Sequence, residues 1–218
     1  MEPMRVSPER ERRTMRKIIT IGREFGSGGR ELGRRLSEHL GIAYYDHEII
    51  AEIAKRTALS EAYVRQITEN RPLTSFPIHF GGRFCALPDP LLQQSISVYS
   101  EQHKLLCELA EKSDCIIVGR CADYVLRSHQ PFRIFVYADM PSRLKRCMER
   151  RTPEETLSEQ DMKRKITEID RNRSRYYDFF SGQKWGAREN YDLLINTSGQ
   201  SIKKQAAALY EYLHGMDA

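Results

Sequence analysis

The segment Gly22-Arg23-Glu24-Phe25-Gly26-Ser27-Gly28-Gly29-Arg30-Glu31 joins a short β-branched run, KIITIG from Lys17 to Gly22, to an amphipathic stretch beginning at Arg30. Glycines at 26, 28 and 29 let an anion reach backbone N–H groups without meeting a Cβ. The helix that follows adds the partial positive charge of its N-terminus. Strand, glycine turn and helix in that order suit a phosphate ester. The common phosphate-loop pattern is G-x-x-x-x-G-K-[ST]. Alignment on Gly28 puts Arg23 at the first glycine, Gly29 at the lysine and Arg30 at the Ser/Thr position. Two readings compete with this one. Dinucleotide binding needs G-x-G-x-x-G, and Gly26, Gly28 and Gly33 miss that spacing. A glycine turn without a ligand is the other.

With the lysine absent, Arg23 or Arg30 is left to supply the cation, since guanidinium grips phosphate through two hydrogen bonds. Ser27 or Glu31 is left to reach a Mg²⁺ ion. Further arginines lie downstream. Arg143, Arg146 and Arg150 share a helix face just before the Arg151-Thr152-Pro153 break, which reads as a lid bringing Arg146 to a transferring phosphoryl group or as a plain solvated face. From Ser158 to about Phe180, Met162, Ile166, Ile169, Tyr176 and Phe180 fall on one face, and Arg164, Glu168, Arg171 and Arg175 on the other. The second stripe reads as phosphate-binding or as a plain solvated face. Trp185 and the Tyr176-Tyr177 pair stack on a base or pack in the core. The six histidines are dispersed and no G-x-S-x-G occurs, so neither a metal site nor nucleophilic hydrolysis has support.

The elements that must position these groups follow from periodicity. Strands are expected at 17–22, 42–45, 115–119, 132–137 and 191–196, each a short apolar run. Between them lie helices at 30–40, after Asp46 as its cap to about Thr57, from a Ser60 cap, and at 90–112, 141–151, 158–180 and 201–213. This alternation predicts an α/β fold: a parallel five-stranded sheet with helices on both faces, and ligands beyond the carboxyl ends of the strands. Arg71 to Pro90, with four prolines and Gly81-Gly82, reads as a functional loop or a partly ordered insertion.

Composition narrows the class. The 218 residues, 40% hydrophobic and 30% charged, fit a single domain at 17–218 behind a disordered basic tail at 1–16. A net charge of +5 suits polyphosphate ligands and falls short of what nucleic acid would call for. No apolar run approaches the roughly 20 residues of a membrane span. Cys85, Cys107, Cys115, Cys121 and Cys147 show no paired spacing, which points to small buried residues in a reducing cytoplasm.

The text IITIGREFGSGGRELGRRLSEHLGIAYYDHEII, then CIIVGRCADYVL, DRNRSRYYDFF and KWGARENYDLLINTS, resembles the cytidylate-kinase-like family, a branch whose phosphate loop reads REFGSGGR. The resemblance runs from about Lys17 to the C-terminus. It implies a P-loop nucleoside-monophosphate kinase fold with a helical lid at about 141–180 and an acceptor-binding helical region at about 46–112. It also implies transfer of the γ-phosphoryl group of ATP, with Mg²⁺, to CMP or dCMP. Gly26, Ser27, Gly28 and Gly29, with Arg23, Arg30 and Glu31, fall at the ATP phosphates. Asp46, Arg120, Asp123, Arg171 and Arg175 fall on the acceptor side, and Arg30, Arg146 and Arg171 at the transferred group. Val118 stands where the family's D-G-R turn has aspartate, and Asn172 where its R-D-x-x-R pattern does. Such departures leave open another small acceptor, or nucleotide binding without catalysis. Oligomeric state is not legible.

Overall fold

The computed structural model describes residues 17–70, 90–151 and 156–216. The expected tail at 1–16 and almost all of the 71–90 loop lie outside them, as do 152–155 of the expected lid. Five parallel strands, β1 (Ile18–Arg23), β2 (Ala43–Tyr45), β3 (Cys115–Val118), β4 (Phe132–Tyr137) and β5 (Leu193–Asn196), form one sheet in the order β2-β3-β1-β4-β5. β1 is central, pairing Ile19 with Ile116 on one side and with Phe132 on the other. Two strands that cross over on each side of β1 place its carboxyl end at the point where the winding reverses, and this is where ligands bind in such sheets.

Both sheet faces are dry, which explains the uninterrupted apolar runs. Ile19, Ile21, Ile116 and Val118 point towards α1 (Gly29–Leu40) and the C-terminal helix Ile202–Met216, meeting Leu32, Leu36, Ala206 and Leu209. Ile18, Cys115 and Ile117 face the other way, towards α2 (Glu48–Thr57), α3 (Glu61–Arg65) and α4 (Pro90–Lys112). Ser60 caps α3, its hydroxyl accepting from the Tyr63 N–H at 3.2 Å. Beyond β3 comes a single turn, α5 (Ala122–Val125). α6 (Met140–Glu149) and α7 (Glu159–Ser181) then pack together over Leu144, Met162 and Ile166, with Phe25 of the glycine turn against this cluster. The Ile202–Met216 helix is α8.

Two local expectations are corrected. Asp46 does not cap α2: His47 holds the N-cap position, and the Asp46 carboxylate turns away to Arg30. β5 begins at Leu193, not at 191, because Tyr191 is buried against Phe135 and Asp192 is held by Arg133 through both its backbone and its carboxylate. Among the described residues, no helix is long and apolar enough to cross a membrane.

Candidate active site

Two cavities open at the carboxyl end of the sheet, on either side of Arg23. The larger, about 280 Å³, is floored by the glycine turn. Seven of its fourteen lining residues are cationic: Arg23, Arg30, Arg146, Arg150, Arg151, Lys165 and Arg173; Glu24 is the single carboxylate among them. Asp46, Glu31 and Asp170 offset part of this charge from outside the lining, and the excess that remains suits a polyanion. Gly28, at φ +85°, is the N-cap of α1 and has no side-chain cap, and Gly28, Gly29 and Arg30 at this helix start line the cavity. Gly26, at φ +77°, has Cys147 Sγ 2.9 Å and the Arg143 carbonyl 3.0 Å from where a Cβ would stand.

The missing lysine has a steric explanation. A Cβ on Gly29, the lysine position, would come within 2.6 Å of Arg23 Cβ, so the Arg23 stem occupies the room a side chain at 29 would need. Arg23 then runs across the sheet end over Gly119, whose absent Cβ would lie 1.5 Å from Arg23 Nη1. Gly119 also sits at φ +73°. Gly119→Ala is therefore expected to cost about 1–2 kcal/mol from the left-handed backbone alone and to displace the Arg23 guanidinium; urea denaturation and triphosphate affinity measured together would detect both.

The turn is braced from two sides. On α6, Arg143 pairs with Glu24 at 3.2 Å, pairs with Asp170 of α7, and donates from Nε to the Phe25 carbonyl at 2.7 Å. Asp170 also accepts from the Phe25 N–H at 2.7 Å, and Glu24 accepts from the Ala138 N–H at 3.1 Å. Burial holds the carboxyls of Glu24 and Asp170 above their ordinary values, with Arg143 pulling both the other way. Arg146 spends its fork on Thr197, at 2.5 Å to the carbonyl and 3.1 Å to the hydroxyl, and burial lowers its pKa.

Both side chains expected at a magnesium ion already have protein partners. The Ser27 hydroxyl donates to the Glu24 carbonyl at 2.8 Å and the residue is fully buried. Glu31 is taken by Arg35 and Arg150, whose charges keep its carboxyl below the usual range despite partial burial. Among the described residues, no group of three His, Cys, Asp or Glu side chains is placed to hold a metal.

The second cavity, about 40 Å³, lies between the β3 turn and α7. Gly119, Arg120 and Cys121 all have positive φ, of +73°, +62° and +51°. Two successive non-glycine residues in that region store strain that tertiary contacts must offset. Gln102 of α4 does so by donating to the Arg120 carbonyl at 2.9 Å, and Arg120 reaches Thr68 at 3.0 Å. Asp123 accepts from the Tyr177 hydroxyl at 2.7 Å, and burial raises its pKa. Tyr176, Tyr177, Trp185 and Tyr191 complete the wall, with Trp185 edge-on to Phe135 at 5.3 Å.

Arg120 and Asp123 thus sit together, as do Arg23, Gly26, Gly28, Gly29, Arg30 and Arg146. Asp46 lines neither cavity. Arg171 and Arg175 are exposed on the outer face of α7, in a separate surface groove with Lys163 and Arg164, because the apolar stripe turns the opposite face inwards. The α7 cation shared by the two cavities is Arg173. It donates to the Arg23 carbonyl at 3.3 Å and lies 5.5 Å over the Phe25 ring. A signal for it existed: 162, 166, 169, 173, 176, 180 is a continuous helical stripe, and Arg173 is the charge within it.

A parallel sheet wound in this order, with a glycine turn feeding a helix at a cationic cavity, defines a phosphate-loop kinase fold. Solved structures of the same fold include shikimate kinase from Bacteroides thetaiotaomicron, at a TM-score of 0.55 and 13% identity, covering 91% of this chain and 98% of that one. An uncharacterized protein from Eubacterium ventriosum superposes with a TM-score of 0.66 at 25% identity, covering 91% of this chain and 99% of its own. The chain belongs to the cytidylate kinase-like family, whose family model matches residues 18–199. Curated relatives include the cytidylate kinase of Pyrococcus horikoshii, 25% identical over 183 residues, 83% of this chain and 80% of that protein. The cytidylate kinase of Methanopyrus kandleri is 24% identical over 191 residues, 83% of this chain and 84% of its own.

Proposed function

We propose that this protein transfers the γ-phosphoryl group of ATP to a nucleoside monophosphate, with CMP or dCMP the first acceptor to test. The observation that carries this reading is Arg23: it fills the space of the absent lysine and forms the wall between a cationic cavity on the glycine turn and a second, aromatic-lined cavity. On this reading the backbone of Gly26, Gly28 and Gly29 cradles the donor phosphates, and Arg23, Arg30 and Arg146 offset their charge. Arg120 and Asp123 face the acceptor. A phosphate oxygen of the acceptor attacks the γ-phosphorus in line as the bond to the ADP oxygen breaks. The charge spread over the three equatorial oxygens falls to Arg23 and Arg173.

The size of the acceptor cavity supports a second reading. At about 40 Å³ it has room for only a few water molecules. A nucleotide needs the lining to open further than a compact hydroxylated acceptor does. ADP release measured over CMP, dCMP, UMP, AMP and GMP, and over small sugar and cyclitol acceptors, decides between them. Turnover highest with CMP or dCMP is expected. Turnover only with a non-nucleotide acceptor establishes the second reading, and ATP binding with no turnover at all rejects catalysis.

A further inference from the structure

Arg30 is anchored to the strand edge by two residues of one short segment. Its Nε lies 2.5 Å from Asp46 Oδ2, and its backbone carbonyl accepts from the Tyr44 hydroxyl at 3.2 Å. The Asp46 side chain is only 2% exposed, yet Arg30 remains 48% exposed and lines the phosphate cavity. The contact with Asp46 is made through Nε, at the stem end of the guanidinium, and the half-exposed side chain leaves its outer end towards the cavity. The second oxygen of Asp46 lies 3.8 Å from Arg23 Nη2 and has no hydrogen-bond partner. The remaining ionisable neighbours are His47, whose Nε2 is 3.6 Å from Oδ2, Glu48, whose carboxylate accepts from the Asp46 N–H at 3.2 Å, and Tyr44. A buried carboxylate therefore stands between the two arginines that flank the glycine turn.

We propose that Asp46 is a positioning residue for the donor phosphates: it holds Arg30 by Nε, so that the two terminal nitrogens are presented as a preset fork to the anion on the glycine turn. A guanidinium has one edge for the carboxylate and another for phosphate, whereas an ammonium has no such division. Anchoring also removes rotamer freedom before the ligand arrives. This role differs from acceptor binding, since Asp46 does not line the acceptor cavity. It differs from a bulk electrostatic one as well, because a negative charge near a phosphate site repels phosphate. Removal of the charge alone would tighten binding, and loss of an anchor weakens it.

The proposal rests on the reading that the glycine turn holds a polyphosphate, and the experiment separates the two. Binding of inorganic tripolyphosphate to the full chain is measured by calorimetry for wild type, Asp46→Asn, Arg30→Lys, Arg30→Ala and the Asp46→Asn/Arg30→Ala double variant. Asp46→Asn is expected to weaken binding about 10-fold, and Arg30→Lys, which keeps the charge, by a similar factor. In the Arg30→Ala background, Asp46→Asn should add less than about 2-fold, the mark of coupled residues. Affinity equal to or tighter than wild type in Asp46→Asn, or a loss undiminished when Arg30 is absent, overturns the proposal and leaves the polyphosphate reading standing. Failure of the wild type to bind overturns both. Should Asp46→Asn not fold, the exposed Arg30→Lys substitution decides, and unchanged affinity there overturns the proposal.

Discussion

Replacement of Arg173 by alanine is expected to lower kcat by about a thousandfold or more, the effect of removing an arginine from the charge of a transferring phosphoryl group. Arg173 is the α7 cation that lines both cavities, and its guanidinium touches the Arg23 carbonyl at the wall between them. Its partner Asp170 keeps Arg143 after the substitution, but Arg173 is largely buried and donates to the Arg23 carbonyl, so the fold is expected to lose about 1–3 kcal/mol. Arg173→Lys should recover part of the rate, since it restores charge without the fork. Steady-state kinetics of both variants, beside Arg171→Ala and Arg175→Ala as outer-face controls within about twofold of wild type, give the measurement. A drop of less than tenfold in Arg173→Ala, or a loss as large in either control, removes Arg173 from the reaction.

Arg143→Ala is expected to have the largest effect on stability, about 3–5 kcal/mol near neutral pH. Arg143 is 6% exposed, and its loss leaves the carboxylates of Glu24 and Asp170 facing each other without their shared cation. Burial already raises both carboxyls above their ordinary values, and without Arg143 both rise further. A carboxyl whose folded pKa exceeds its unfolded one binds its proton more tightly in the native state. Part of the lost stability should then return as pH falls through the raised values towards the ordinary carboxylate range. Urea melts of the variant at neutral and mildly acid pH test this. A deficit that stays constant or deepens on acidification contradicts the buried-cluster account.

Much of the fold was legible because the sheet is dry on both faces. A run such as CIIV has no reading other than a buried segment, and five such runs between amphipathic helices impose a parallel sheet. The glycine turn was equally plain. Side-chain direction within the site was harder. The stripe containing Arg171 and Arg175 is as regular as any binding face, and helical spacing alone does not say which side meets the sheet. Arg173 was the anomaly, a charge at a core phase, and only the packing of Met162, Ile166 and Tyr176 reveals its direction. Arg23 and Arg30 stood as equal replacements for the lysine in the sequence, because what places the Arg23 stem against Gly29 and its guanidinium over Gly119 lies six and ninety residues from Gly29. That relation has no period and exists only where β1 and β3 lie side by side.

Arg23 and Arg173 belong to the walls of both cavities. Ligands seated on either side therefore draw on the same two positive charges, and their affinities are not independent. Whatever factor the first imposes on the second, the second imposes on the first. An order of addition in this protein would then reflect access and speed, never a one-way thermodynamic preference.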